Sequence, residues 1–221
     1  MFAYSLSGLE LTEDSQQVTE VEENEITARS ATYQVLGRLF TYPDDDHFEM
    51  ARSGQWAKEL EEAGALLDFD YEIGEIEVPG ELDKDVYTGE FERLFLVDSN
   101  GGKRIWSGTY GDDRDQTLTE LARAYEYYGL GGADDGDVPL DHLGSELDFM
   151  QFLTFKEAAA SSPRLGKSFR RAQGDFLENQ LANWLPDFVS RVRADQPLPF
   201  FEWMIGRLES FVAADAEAVA G

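Results

Sequence analysis

The chain has 221 residues, no cysteine, and 45 acidic against 18 basic residues, which gives a formal net charge of −27. The absence of cysteine excludes disulfides, thiolate zinc sites and iron–sulfur ligation. The strong negative charge argues against nucleic acid or anionic lipid as a partner.

Two interpretations of the acidic composition stay open. It is typical of the solvated surface that keeps halophilic proteins soluble in strong salt, and it would also suit a basic partner. Lysine is scarce, with five residues against thirteen arginines, and the acidic residues are spread along the whole chain. Both observations favour the halophilic interpretation.

The length and the hydrophobic fraction of 42% are sufficient for one domain with a sizeable core. The polar, acidic residues 1–23 are predicted to form a mobile tail. No apolar run approaches the roughly 20 residues that span a membrane, and Met1 to Leu11 lacks the basic and apolar regions of a secretory signal. We therefore expect a cytoplasmic protein without membrane insertion.

Apolar residues recur with helical periodicity from Asn24 onwards, and Asn24 itself is a suitable N-cap. The pattern predicts an all-α, single-domain helical bundle over residues 24–221. Residues 68–81 are a predicted linker, and a break is expected at Trp184 to Pro186. The predicted helices run from Asn24 to just before Pro43, from Asp44 to Leu60, from Leu82 to Leu96, from Asp113 or Asp115 to Gly129, from Pro139 to Leu153, from Pro163 to Leu181, from Phe188 to a stop at Pro197 and from Phe200 to about Ala214.

Two weaker patterns occur in the first half of the chain. Loose alternation from Phe69 to Val78 is the one stretch that resembles a strand. The acidic residues Asp44 to Asp46 followed by His47 could suggest a metal site, but a capped, solvated helix start is the favoured interpretation.

A glycine-rich loop from Val97 to Gly111 contains Trp106 and Tyr110. It lacks the pattern of a phosphate-binding loop. Large aromatic residues in a loop either support a function or hold the loop against the core, and both interpretations stay open.

The central stretch runs from Pro139 to Met150 and is predicted to be a loop that enters a helix, with Asp137 or Asp141 as the cap. His142 beside Asp141, with Glu146 one turn later, could form an acid–base pair. A helix cap and a satisfied structural histidine are the alternatives. No G-x-S-x-G motif is present and two histidines are too few for a typical metal site. We therefore favour binding over catalysis and expect no metal and no cofactor.

This stretch also carries a family resemblance. Pro139-Leu140-Asp141-His142-Leu143, followed by Glu146-Leu147-Asp148-Phe149-Met150, resembles the central motif of the TorD/DmsD/NarJ family of molybdoenzyme maturation chaperones. Four other segments also resemble segments of the family and occur in the same order: Arg29 to Pro43, Glu90 to Phe95, Trp106 to Tyr110 and Phe176 to Phe188. Two positions depart from the family pattern. Asn179-Gln180-Leu181 replaces the usual His-Leu, and Gly108 replaces a bulkier residue.

The resemblance implies a TorD-like helical chaperone that makes and breaks no bond. Its partner would be the twin-arginine signal peptide of a molybdopterin-dependent subunit of the dimethyl-sulfoxide-reductase type, held during cofactor insertion and before export. It would be a monomer or a domain-swapped dimer. Apolar contacts should carry most of the affinity, with Asp141 and nearby carboxylates facing the arginines. The residues that the resemblance implies as peptide contacts are Trp106, Ser107, Tyr110, Pro139, Asp141 and His142.

Three alternatives remain at the level of the sequence. The first is a sibling chaperone that serves a non-exported nitrate reductase. The second is a small helical enzyme that uses His142 with Asp141 or Glu146. The third is an acidic module whose specificity rests on charge alone, although such a module would not need the ordered set of apolar motifs.

Overall fold

A computed structural model describes residues 13–69, 71, 82–97, 103–130 and 139–220. Within these ranges the protein is helical and contains no strand beyond one isolated antiparallel bridge. The predicted all-α fold is therefore confirmed. The α-helices are α1 (Glu13–Leu39), α2 (Asp45–Ser53), α3 (Gln55–Gly64), α4 (Lys84–Phe91), α5 (Arg114–Tyr127), α6 (Leu143–Ala158), α7 (Pro163–Phe176), α8 (Ala182–Ala194) and α9 (Pro199–Ala220).

Several helix ends follow the expected chemistry. The Asp44 side chain accepts a hydrogen bond from the His47 N–H and so caps α2. Asp113 caps α5 in the same way. Gly129 follows α5 with φ +76°, a conformation that glycine adopts without strain, as the predicted stop requires.

The prediction that Asn24 starts the first helix is wrong, because α1 begins at Glu13. The stretch from Glu13 to Glu23 is polar, but it contains neither proline nor glycine, and glutamate and glutamine are good helix formers. Residues 1–12 lie outside the described residues, and the mobility expected of residues 1–23 stays a prediction.

The expected break at Trp184 to Pro186 is also wrong. A π-helical turn, Leu177–Leu181, leads directly into α8, which continues through Pro186. Pro186 lies close to the start of α8, where its missing N–H removes only the bond to Ala182. The last helix extends beyond Ala214 to Ala220, since this segment is rich in alanine, the best helix former.

Most of the predicted linker and of the weak alternating stretch lies outside the described residues. Phe69 and Tyr71 are described and both pack against Phe211 of α9, with Tyr71 at a ring distance of 5.4 Å. The two residues are partly buried and pack against the helical core.

The core is formed by α1 packed along α6 and α3, with α7 against α6 and α9 against α8. Tyr33, Leu36 and Phe40, predicted as core, are fully buried. Phe40 and Phe95 meet edge to face, and Tyr87 stacks on Phe201. Such aromatic pairs contribute beyond the area they bury.

A buried polar cluster joins three of these helices to α1. Arg29 is inaccessible to solvent and pairs with Asp215 of α9, while its Nη2 donates to Gln173 Oε1 at 2.6 Å. Glu157 lies 3.5 Å from the same guanidinium, and the Tyr33 hydroxyl donates to Asp215 at 2.6 Å. Burial alone would lower the pKa of Arg29, but Asp215 raises it above its ordinary value, so the charge is retained.

Candidate functional site

The two stretches singled out from the sequence meet in the folded chain. Residues 105–107 pair with residues 141–143 as a short antiparallel bridge. The Ser107 N–H donates to the Asp141 carbonyl at 2.8 Å, and the Leu143 N–H donates to the Ile105 carbonyl at 3.0 Å. This bridge holds the aromatic loop against the start of α6.

His142 is the N-cap of α6. Its Nδ1 accepts a hydrogen bond from the Gly144 N–H at 2.9 Å. The expectation that Asp141 is the cap is therefore wrong, and Asp137 lies outside the described residues. Burial, and then the charge of Lys103, lower the pKa of His142 to about 4 against the opposing effect of Asp141, so the ring is neutral at ordinary pH.

Asp141 is buried and already has a cationic partner. Arg114 at the start of α5 binds it with two hydrogen bonds, from Nε at 2.8 Å and from Nη2 at 3.1 Å. The same guanidinium lies 4.4 Å from the centre of the Trp106 ring. Arg114 thus fixes both the carboxylate and the indole, an arrangement in which arginine is not replaceable by lysine. In this structure the Asp141 carboxylate is not presented to solvent.

Gly108 is required by the same ion pair. A Cβ at this position would lie 2.5 Å from Arg114 Cγ and 2.8 Å from Asp141 Oδ2. The departure of Gly108 from the family pattern therefore has a local physical reason.

We expect Gly108→Ala to lower the free energy of unfolding by about 1–3 kcal/mol, as overpacking does. The matched control is Gly89→Ala in α4, where nothing lies within 4 Å of an added Cβ and where alanine should stabilise the helix by up to about 1 kcal/mol. Urea unfolding of both variants gives the comparison. A Gly108→Ala protein as stable as the Gly89→Ala protein would show that the space around Asp141 is not restricted.

Glu146 is a buried carboxyl group behind the bridge. The Trp184 indole N–H donates to its Oε2 at 3.0 Å. Its Oε1 and the Ser107 Oγ are buried without a hydrogen bond of normal geometry. Burial raises the pKa of Glu146 to about 7, and the neighbouring Ser107 hydroxyl and Trp184 indole offset part of that rise.

This pKa predicts a specific pH dependence. Because the folded-state pKa lies above the ordinary value of 4.5, the native state holds a proton that the unfolded chain releases. The contribution of protonated Glu146 to the free energy of unfolding is therefore fully present below pH 4.5 and is lost as pH rises to about 7. The total loss is on the order of 3 kcal/mol. Glu146→Gln should keep the Trp184 bond and remove this loss. The measurement is the free energy of unfolding of both proteins as a function of pH. If it changes with pH in the same way for wild type and Glu146→Gln, the buried, proton-binding role of Glu146 is contradicted.

On one side of the bridge lies a depression of about 460 Å³, which we call the aromatic groove. Aromatic and aliphatic side chains from four parts of the chain line it, together with the cations Arg38 and Lys103 and the carboxylate Asp148. Such a mixture of apolar surface and few polar groups is typical of ligand sites. The residues that define the aromatic groove are Tyr42, Phe91, Leu96, Trp106, Pro139 and His142.

On another side of the same segment lies a second depression of about 240 Å³, which we call the polar cleft. The Tyr110 and Trp184 rings lie 5.2 Å apart in its wall. The candidate residues from the sequence are thus divided: Trp106, Pro139 and His142 line the groove, whereas Ser107 and Tyr110 line the cleft. The residues that define the polar cleft are Ser107, Tyr110, Glu120, Asn183, Trp184 and Asp187.

The arrangement does not form an acid–base pair. Among the described residues, no hydrogen bond or ion pair joins His142 to Asp141 or Glu146, since each has the other partners given above. His47 is likewise engaged, with Nε2 at 3.1 Å from the Leu39 carbonyl and Nδ1 at 3.0 Å from the Tyr87 hydroxyl. Across the described ranges, no three His, Asp or Glu side chains are grouped to hold a metal ion.

Two residues of the site were missed by sequence reasoning. Arg114 was not identified as the partner of Asp141, because 27 residues separate them and no periodicity links them. Trp184 was noted within a resembling segment, but its bond to Glu146 was not foreseen. An arginine directly after an N-cap aspartate, in a chain with few cations, is the signal that could have indicated Arg114.

Comparisons with known proteins identify a family for this chain. Residues 54–190 match the family model described as nitrate reductase delta subunit. The chain belongs to this family.

Its curated relatives are named as chaperones. The chain is 34% identical to the selenate reductase assembly chaperone protein of Thauera selenatis, over 76% of this chain and 78% of that protein. It is 30% identical to the perchlorate reductase assembly chaperone protein of Dechloromonas aromatica, over 86% and 89%. The chaperone protein TorD of Photobacterium profundum is 26% identical over 61% and 64%. In the part of this chain that the structure describes, no helix is both long and apolar enough to cross a membrane.

Proposed function

We propose that this protein is a cytoplasmic maturation chaperone for the catalytic subunit of a molybdopterin-dependent oxidoreductase. It would bind the N-terminal region of that subunit, including a twin-arginine signal peptide, while cofactor is inserted and before export. The observation that carries the proposal is the aromatic groove, which forms where the Asp-His motif meets the Trp106 loop. Relatives named as reductase assembly chaperones support the same role.

The groove suits the apolar part of a leader peptide. Trp106 and Pro139 are partly exposed, and Tyr42 is 57% exposed, so a ligand can cover them. Burial of such side chains contributes about 25 cal/mol per Å² of apolar surface. Exposed ion pairs are screened within a few ångströms at molar salt. Apolar contacts would therefore carry most of the affinity for a protein that works in strong salt.

The polar residues of the motif would act by positioning. His142 caps α6, Arg114 holds Asp141, and the bridge fixes Trp106 at the edge of the groove. We therefore assign Asp141 a positioning role, since a peptide arginine could reach its carboxylate only by displacing Arg114. No bond is made or broken in this mechanism.

A sibling function has its own support. The matching family model is described as nitrate reductase delta subunit, so the client could be a nitrate reductase, and one that is not exported would carry no leader. In that case the groove would bind the N-terminal segment of the mature subunit.

The direct test is titration of the purified protein with a labelled twin-arginine leader of a molybdoenzyme subunit, followed by fluorescence anisotropy in molar salt. The matched control is a peptide of the same composition in which the apolar residues are dispersed among the polar ones, so that it has no continuous apolar segment. We expect saturable binding of the leader and at least about tenfold weaker binding of the control. Equal binding of the two peptides would contradict recognition by the groove.

A further inference from the structure

The Glu146 carboxyl group links three separate parts of the site. Glu146 belongs to α6 and is inaccessible to solvent. Its Oε2 accepts the indole N–H of Trp184 from α8 at 3.0 Å, and the Ser107 hydroxyl interacts with the same carboxyl group. A change in the charge of Glu146 therefore acts directly on α8 and on the segment that carries Trp106.

No cation compensates a negative charge at this position. Within the described ranges no ion pair involves Glu146, and the charge that acts on it is the carboxylate of Asp141. Arg114 is bound to Asp141, and Arg191 stacks on the Tyr110 ring at 4.5 Å. Ionisation of Glu146 thus places an uncompensated charge in a buried place, which is unfavourable. The titratable and charged groups on the elements around it are Lys103, Tyr110, Arg114, Glu120, Tyr125, Asp141, His142, Asp187 and Arg191.

The segment 105–111 is the part of this arrangement that can move most easily. Glu146 and Trp184 are on helices. The segment is held to the start of α6 by the two main-chain hydrogen bonds of the antiparallel bridge, which are 2.8 and 3.0 Å long. Separation of the segment from α6 would admit water to the Glu146 carboxylate. It would also remove Trp106 from the edge of the aromatic groove.

We propose that Glu146 is a proton-dependent switch for the peptide site. In its protonated form it holds the segment 105–111 and the Trp106 ring in the binding arrangement, and its ionisation favours an open arrangement that binds the leader weakly. The assignment rests on the proposed function, because it concerns the regulation of that same site.

The sign of the pH dependence follows from the two arrangements. Burial raises the pKa of Glu146 to about 7 in the binding arrangement, whereas water returns it toward the ordinary value of 4.5 in the open one. The preference for the binding arrangement is therefore full below pH 4.5 and declines as pH rises to about 7. Because the apparent affinity scales with the fraction of protein in the competent arrangement, the leader should bind more weakly at high pH.

Titration of a leader peptide without histidine at a series of pH values tests the assignment. The proteins are wild type, Glu146→Gln and the control Glu126→Gln, which changes an exposed carboxylate on α5. We expect wild type and the control to bind the leader about tenfold more weakly at about pH 8 than at about pH 5, and Glu146→Gln to change less than about twofold. The two histidines are common to all three proteins. The same pH dependence in wild type and Glu146→Gln would overturn the assignment.

A second measurement separates failure of this assignment from failure of the proposed function. The indole N–H signals of Trp106 and Trp184 are followed by NMR in the free wild-type protein as pH is raised. We expect both signals to move with one common midpoint between pH 4.5 and about 7. If the leader binds at no pH but both signals move together, the proposed function is overturned and the switch stands. If the Trp106 signal does not move with that of Trp184, or if neither moves, the switch is overturned.

Discussion

Arg29→Ala is expected to lower the free energy of unfolding by about 3–5 kcal/mol, the usual cost of removing one partner from a buried ion pair. The substitution leaves Asp215 and Glu157 without the guanidinium that they share, in a place that solvent does not reach. Because Asp215 is on α9 and Glu157 on α6, loss of the Arg29 guanidinium should destabilise the packing of α1 against both helices. Urea denaturation followed by circular dichroism measures it.

The matched control is Arg52→Ala. Arg52 is paired with Glu49 one turn away on α2, and both side chains are more than half exposed. Such a surface pair contributes at most about 1 kcal/mol. A loss for Arg29→Ala no larger than the loss for Arg52→Ala would show that the cluster does not hold α1 to the bundle.

Trp106→Ala should weaken binding of the leader peptide by about 10- to 100-fold in molar salt, in the range of an aromatic hot spot. The indole is held at the groove by Arg114 and by the bridge to α6, so it is presented in one orientation before the ligand arrives. The comparison is Asp112→Asn, an exposed charge near the site that molar salt screens. We expect this second variant to change the affinity by less than about threefold.

Equal losses of affinity for the leader peptide in Trp106→Ala and Asp112→Asn would contradict the claim that apolar contacts carry most of the affinity. The unfolding midpoint of Trp106→Ala must be measured alongside, because the indole also contacts Lys103 and Arg114. Trp106→Phe, which keeps an aromatic ring, should recover part of the affinity if the contact is direct.

Helical periodicity was sufficient to predict the fold class and most of the helices. Apolar spacing is a local property, and it placed Tyr33, Leu36 and Phe40 correctly in the core. It failed where a local signal was misleading. Asn24 has the chemistry of a cap but lies inside α1, and Pro186 usually marks a break but is accommodated close to the start of α8.

The site was only partly predictable, because its geometry depends on contacts between distant segments. The resemblance pointed to the right two stretches, and the structure joins them through the bridge at Trp106 and His142. What each side chain does there could not be deduced from spacing. Asp141 is engaged by Arg114, and the neighbours Trp106 and Ser107 line different depressions.

The central claim is that this protein binds the N-terminal region of a molybdoenzyme subunit. The most direct measurement is affinity purification of the intact protein from its own cells in molar salt, with mass identification of what is retained by wild type and not by Trp106→Ala. We predict a large molybdopterin-dependent subunit that still carries its twin-arginine leader. The same subunit without a leader would favour the sibling chaperone of a non-exported enzyme. Recovery of no such subunit, from cells shown to produce one, would contradict the account.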